Sequence, residues 1–163
     1  MTYRDDFVDA VRAVDARIEG MRERIVAAGD TPLPEGTWRV RDALSHLAAR
    51  SNGVARVMQR VEAASAAPGG DAPAPPRNID EVNAGQVEER SDRSVEDLLR
   101  EIAEGHRAAI EAVTYIDDST LERRIELGFR PGDASVGELL TMGGPRHDGA
   151  HLDQVEAALG ASA

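Results

Sequence analysis

The chain has 163 residues, a length that suits one domain with a substantial core, and its formal net charge is -11. That charge argues against wrapping nucleic acid or coating an anionic membrane. All 19 basic residues are arginine and cysteine is absent, which excludes a Schiff-base lysine, disulfides, thiolate metal ligands and a cysteine nucleophile.

The composition also predicts the fold class and the compartment. Hydrophobic residues make up 41% of the chain but aromatic residues only 3%, so the core must be aliphatic, which is typical of packed helices. No apolar run approaches the ~20 residues that span a bilayer. The N-terminal segment "MTYRDDFVDA" has neither the basic region nor the apolar stretch of a secretion signal. We therefore expect a cytoplasmic, all-α protein whose single domain covers residues 1–163.

The first two helices are predicted by apolar residues spaced three or four positions apart. The first stripe runs from Phe7 to Ile25, Gly29 ends the helix, and "DTPLPEG" with its two prolines forms the following loop. The second helix begins near Thr37, a plausible N-cap, and its stripe extends to Val61. The following segment "SAAPGGDAPAPPRN", residues 65–78, predicts a flexible or extended connection that is long enough to cross the end of a bundle.

A short helix is predicted over residues 79–90, and a longer one begins at "SVEDLLREIAEGHRAAIEAVTYI" with a serine N-cap. The region "DDSTLERRIELGFRPGD" predicts a strand-like fragment at most. The last helix opens with the capping box of Ser135 and Glu138, is expected to kink at Pro145, and runs to about Leu159. Four amphipathic helices with one long crossover predict a four-helix bundle.

Two of the four histidines lie four positions apart on the last helix. His147 and His151 share one helical face, about 6 Å apart along the axis, and can therefore reach one ion. Burying two imidazoles without a partner is unfavourable, and a bound cation would provide one. The alternative is that H-x-x-x-H occurs here by chance, and these two residues alone do not decide between the alternatives.

The other two histidines lie on the second and third long helices. His46 is about 120° from the centre of its helix's apolar stripe, a flank position that is compatible with either the bundle interior or the surface. His106 lies on the stripe itself. We expect it to be a buried histidine that is hydrogen-bonded to another group, with a lesser role beside the site.

Two segments carry a resemblance to a known family. "GTWRVRDALSHLAA" resembles the W-[ST]-V-R-D-x-L-x-H-L segment of the DinB/YfiT-like metalloprotein superfamily, and "SVGELLTMGGPRHDGAHLDQVEAAL" resembles its closing H-x-x-x-H-x-x-Q segment. The resemblance implies a bundle with up-down-down-up helix order and a divalent ion held by His46, His147 and His151. Relatives include mycothiol-dependent maleylpyruvate isomerases and bacillithiol S-transferases. In the isomerase pattern a glutamate commonly takes the ligand position that His147 occupies here.

This residue set suits a catalytic ion. Three neutral imidazoles leave a divalent ion its charge and at least one open position, and they are compatible with Zn, Ni, Fe or Cu. Such an ion can lower the pKa of bound water or of an external thiol. Gln154 is a candidate hydrogen-bond partner behind a ligand. Arg50 and Arg146 are candidates for binding an anionic thiol or substrate, with a solvent-facing position as the alternative for each. We expect Asp148 and Asp153 to be solvated.

Three functions are compatible with these observations. The first is a metal-dependent S-transferase or isomerase that uses a low-molecular-weight thiol of the mycothiol or bacillithiol class and a small electrophile, with detoxification as one role of such a reaction. The second is a metal-dependent hydrolase of a reactive small molecule. The third is a non-catalytic metal-binding stress protein, since the fold does not fix the function. We expect no nucleic-acid or membrane partner, and a homodimer is plausible.

Overall fold

The computed structural model describes residues 2–66, 78–126 and 132–161, and it confirms the predicted all-α fold. Two three-residue strands pair antiparallel and form the one sheet of the described segments. The elements in chain order are α1 Tyr3–Ala27, α2 Val40–Arg50, α3 Val54–Ala66, α4 Ile79–Glu88, α5 Val95–Thr114, α6 Asp118–Glu122, β1 Arg124–Glu126, β2 Asp133–Ser135, α7 Val136–Gly143 and α8 Pro145–Ala161.

The order of the long helices follows from two hydrophobic clusters at opposite ends of the bundle. One cluster combines the C-terminal half of α1, the helix α2, the start of α5 and the end of α8. The other combines the start of α1, the helix α3, the end of α5 and the helix α7. Helix α1 therefore runs from the second cluster to the first, α2–α3 and α5 both run back, and α7–α8 returns. This is the up-down-down-up order that the family resemblance implies.

Helix α1 forms as its sequence pattern predicts. All six residues of the predicted stripe are buried: Phe7, Val11, Val14, Ile18, Met21 and Ile25. A capping box begins the helix, in which the Thr2 hydroxyl accepts from the Asp5 backbone N–H and the Asp5 carboxylate accepts from the Thr2 backbone N–H. Because the apolar stripe runs along the whole helix, α1 packs against α5, α7 and α8.

The second predicted helix begins later than expected and is broken. The N-cap is Arg39 and not Thr37, because the Asp42 carboxylate accepts from the Arg39 backbone N–H at 2.8 Å. The break between α2 and α3 lies at Ser51, where α5 comes very close. A side-chain carbon on Gly105 of α5 would lie 1.8 Å from the Ser51 hydroxyl oxygen, so only glycine fits there.

The last predicted helix is also divided, and the expected kink at Pro145 is wrong. Helix α7 ends at Gly143, and Gly144 leaves the helical region with φ -110° and ψ -109°. Pro145 is the first residue of α8, where a missing backbone N–H costs nothing because that position has no intrahelical acceptor. Because of this break, α8 is a separate helix and its first turn does not continue the axis of α7.

The predicted connection at residues 65–78 lies largely outside the described residues. Helix α3 continues through Ala66, and Asn78 is the N-cap of α4. The short helix predicted over residues 79–90 is confirmed with slightly different bounds. Among the helices in the described segments, none combines the length and the hydropathy that a membrane span requires. That the domain covers residues 1–163 stays a prediction.

Candidate metal centre

The bundle brings three of the four histidines together. His46 lies on α2 and is 1% exposed, while His147 and His151 lie one turn apart on α8 and are half-buried. One ring nitrogen from each of the three lies within 4.8 Å of the others. The flank position of His46 therefore faces the interior, because α2 packs against both α5 and α8.

Each of these three rings has an oxygen atom facing its Nδ1. The Nδ1 of His46 lies 2.8 Å from Gln86 Oε1, and the Nδ1 of His151 lies 3.3 Å from Gln154 Oε1. The Nδ1 of His147 lies 3.4 Å from Asp148 Oδ1. An amide or carboxylate oxygen can only accept, so each Nδ1 carries the proton and donates. Each Nε2 is then left with a free lone pair, which is the form that binds a metal ion.

The spacing of these nitrogens suits a small divalent ion. The Nε2 atoms of His46 and His147 are 3.4 Å apart. Two nitrogens that each lie about 2.0–2.1 Å from a tetrahedral ion are about 3.4 Å apart. With Nδ1 protonated on both rings, these two Nε2 atoms cannot hydrogen-bond to each other, so their lone pairs face one another without a proton between them. The donor set therefore fits a metal ion.

The electrostatics of the centre favour the neutral form of two of its imidazoles, those of His46 and His151. Burial and the neighbouring His151 and His147 lower the pKa of His46 to about 4. Burial and the neighbouring His147 also lower the pKa of His151. A neutral ring keeps its lone pair available at neutral pH, so protons do not compete strongly with an ion at these two positions.

One side of the centre is covered by an aromatic ring and another is open. The Trp38 ring stacks on His151, with centroids 5.9 Å apart, and lies 5.2 Å from His46. The side chain of His147 is 28% exposed, so the centre opens to solvent beside this residue. Within the described segments, the group that could share an ion contains these three histidines and no carboxylate. An ion there would keep a position for an external ligand.

His106 is buried, as predicted, but it lies between two carboxylates. Its Nδ1 is 2.5 Å from Asp15 Oδ1, and its Nε2 is 3.4 Å from Asp148 Oδ2. The second contact does not meet hydrogen-bond geometry, so we treat it as an ion pair and not as a directed hydrogen bond. Burial opposes a charge on His106, but its contacts with Asp148 and Asp15 raise its pKa to about 9. His106 is therefore an imidazolium at neutral pH.

The expectation that Asp148 is solvated is wrong. It is 3% exposed, because the first turn of α8 directs it toward α5 and not toward solvent. Burial alone would raise its pKa, but contacts with His106 and His147 hold the pKa below its usual value. Asp153 is exposed, as predicted, and pairs with Arg17 at 2.8 Å.

The two arginine candidates occupy different environments. Arg146 is exposed. Arg50 is partly buried, and its Nη2 donates to the Gly143 carbonyl at 3.0 Å while its buried Nε has no acceptor among the described residues. It is the only partly buried arginine in the described segments without a carboxylate within 4.0 Å. Arg50 is therefore a cation beside the histidine centre that makes no ion pair within the described segments.

Sequence reasoning missed three residues that shape the centre: Gln86, Trp38 and Asp15. Gln86 comes from α4, a short helix without an apolar stripe, and no local pattern links it to His46. Trp38 is the one tryptophan of the chain and stands in the quoted motif, which could have marked it. Asp15 looks like any acidic residue on the polar side of α1, so only the packed structure reveals its contact with His106.

The comparison with protein families matches most of the chain. The family described as mycothiol maleylpyruvate isomerase N-terminal domain matches residues 7–143. The chain belongs to this family, whose members share the DinB-like bundle. The matched range includes His46 but ends before His147 and His151. No curated protein and no solved structure matches the chain.

Proposed function

We propose that this protein is a metal-dependent enzyme that uses a low-molecular-weight thiol of the mycothiol class to transfer sulfur to, or isomerise, a small electrophile. The observation that carries this proposal is the orientation of His46, His147 and His151, whose Nδ1 atoms all face oxygens. Membership of a family described by a mycothiol-dependent isomerase supports the choice of thiol.

The three histidines would hold a divalent ion, with Zn, Ni or Fe as the leading identities. Such an ion lowers the pKa of a water or thiol that binds to it, which supplies a nucleophile at neutral pH. Because the chain has no cysteine, the sulfur must come from a diffusible thiol. The chain's own residues would orient the ligands and exclude water on the Trp38 side.

Access to the centre and the charge beside it support a small anionic reactant. The side chain of His147 is 28% exposed, which gives a small molecule a path to the centre. Arg50 is a partly buried cation, and among the described residues no carboxylate lies within 4.0 Å of it; Asp148 acts on its charge only from a longer distance. A guanidinium in that position would pair with a carboxylate on the thiol or on the electrophile.

The direct test follows thiol consumption. Metal-loaded wild type, metal-free wild type and His151→Ala are each mixed with mycothiol and a panel of small electrophiles, and free thiol is measured over time. The proposal expects turnover only with metal and with His151 present. Turnover of an electrophile without any thiol would support a hydrolase instead. Full metal occupancy without turnover of any member of the panel would favour a binding protein.

A further inference from the structure

A continuous line of polar contacts leads from helix α1 to one of the proposed ligands. Asp15 of α1 contacts Nδ1 of His106 on α5 at 2.5 Å. The Nε2 of His106 lies 3.4 Å from Asp148 Oδ2, and the other oxygen of Asp148 lies 3.4 Å from His147 Nδ1. Three helices thus contribute to one chain of alternating carboxylates and imidazoles.

The middle of this line of polar contacts is buried. The side chains of His106 and Asp148 are 3% and 4% exposed, whereas that of Asp15 is 40% exposed. A buried carboxylate is unfavourable unless it is paired. No arginine in the described segments lies within ion-pair distance of Asp148, and its two oxygens are shared between the two imidazoles. The protein therefore keeps a charged group in its core and holds it from both sides.

The three rings of the centre differ in what lies behind them. Gln86 and Gln154 offer neutral amide oxygens to His46 and His151. Of the three rings, only that of His147 faces a carboxylate, which belongs to Asp148. Within the described segments, this carboxylate also contacts a further charged residue, His106. A carboxylate behind an imidazole fixes the tautomer and raises the basicity of the ligand nitrogen.

We infer that Asp148 is the positioning residue for His147, and that His106 and Asp15 hold Asp148 in place. The inference rests on the metal centre of the proposed function, but not on the thiol chemistry. Asp148 accepts from Nδ1 of His147 and so keeps Nε2 of that ring directed toward His46. The side chain of His147 is 28% exposed, so the packing around this ring is incomplete and the contact with Asp148 is one of the interactions that fix its orientation.

The test measures metal affinity and ring tautomer in place of activity. Metal-free wild type, Asp148→Asn, Asp15→Asn and Asp153→Asn are titrated with Zn against a chromophoric chelator. Asp153→Asn is the matched control, because it removes an exposed carboxylate from the same helix. We expect Asp148→Asn to weaken Zn binding about 10- to 100-fold, the range for lost support behind a ligand. Asp15→Asn should weaken it less, and Asp153→Asn should not change it.

The second readout separates positioning from general stability. Long-range ¹H–¹⁵N spectra of the Zn-loaded proteins report which nitrogen of each imidazole carries the proton. Asp148→Asn should shift the His147 signals and leave those of His46 in place. If Asp148→Asn does not fold, the same spectra are recorded on Asp15→Asn, which changes the more exposed end of this line of polar contacts. Losing the charge of Asp15 should weaken the hold of His106 on Asp148 and so still shift the His147 signals.

The outcomes distinguish this inference from the proposed function. Wild-type affinity in both Asp148→Asn and Asp15→Asn would overturn the inference. So would a loss of affinity that leaves the His147 signals unchanged. Wild type that binds Zn but consumes no thiol would overturn the thiol chemistry alone. Wild type that binds no ion would overturn the metal centre and this inference together.

Discussion

The four histidines of the chain occupy two environments that differ in the atoms facing their ring nitrogens. His46 and His106 are both almost fully buried, at 1% and 2% exposed. His46 donates to a neutral glutamine and faces other imidazoles, and its pKa falls to about 4. His106 lies between two carboxylates, and its pKa rises to about 9. Burial alone therefore does not decide whether a histidine in this bundle is a neutral donor or a cation.

The largest effect that follows from this contrast is the loss of metal. His46→Ala and His151→Ala each remove one of three donors and should abolish binding of about one divalent ion per chain. His106→Gln removes a buried histidine that faces no ion, so it should still bind one ion when metal is in excess. Elemental analysis after equilibrium dialysis, on protein purified without a nickel column, measures all three variants beside wild type.

Two results would contradict this separation of the histidines. Wild type that is metal-free as purified and takes up no added Zn or Ni has no three-histidine centre. Equal loss of metal in His106→Gln and His151→Ala would show that His106 belongs to the donor set. Thermal unfolding of each metal-free variant establishes that the comparison is made on folded protein.

The contrast also predicts opposite pH dependences in the metal-free protein. The pKa of His106 is raised from 6.5 to about 9, so its stabilising contribution is complete below pH 6.5 and is lost as the pH rises through 9. The pKa of His46 is lowered from 6.5 to about 4, so the unfolded chain binds more protons in that window and stability rises with pH from 4 to 6.5. Stability should therefore be greatest near pH 6.5.

Urea unfolding of metal-free protein between pH 4 and pH 9 measures this profile. One pKa unit corresponds to about 1.4 kcal/mol, so the decline on the alkaline side is on the order of a few kcal/mol. Asp15→Asn removes one of the two carboxylates that raise the pKa of His106, and it should make the alkaline decline shallower. A stability that is constant from pH 6.5 to 9 would show that His106 carries no charge in the folded protein.

Much of the fold could be predicted from the sequence because the signals are local. The α1 stripe, the Ser94 N-cap and the capping box of Ser135 and Glu138 depend on residues three or four positions apart, and the structure reproduces them. The breaks at Ser51 and Gly144 were missed, because the first depends on the close approach of Gly105 and the second on a backbone conformation. Both breaks are consequences of packing and not of the local pattern.

The candidate centre divides in the same way. His46, His147 and His151 stand in motifs that can be read along the chain. Gln86 and Asp148 cannot be recognised in that manner, because their roles depend on residues from other helices. Asp148 even has the sequence environment of a solvated helix residue, and it is the arrangement of α8 against α5 that buries it.

A smaller effect on Zn affinity tests the two histidines of the centre that donate to neutral glutamines, His46 and His151. Gln86→Leu removes the acceptor at 2.8 Å from His46 and should weaken Zn binding about tenfold. Gln154→Leu removes a longer contact of 3.3 Å to His151 and should cost less affinity. Gln59→Leu, at an exposed position on α3, is the matched control. Chelator competition ranks the three variants, and equal affinities for Gln86→Leu and Gln59→Leu would show that the glutamine does not support the ring.

The smallest effect concerns the cation beside the centre. Arg50→Gln removes a partly buried charge that has no carboxylate within 4.0 Å in the described part of the chain. It should weaken binding of a small carboxylate to the Zn-loaded protein about tenfold, which corresponds to about 1.4 kcal/mol. Arg146→Gln removes an exposed charge in the first turn of α8 and should change binding less than twofold. Calorimetric titration with acetate and with a dicarboxylate measures both variants, and thermal unfolding detects any loss from the Arg50 contact with the Gly143 carbonyl. If the two variants bind the carboxylates equally, the charge of Arg50 serves the junction of α7 and α8 and not a bound anion.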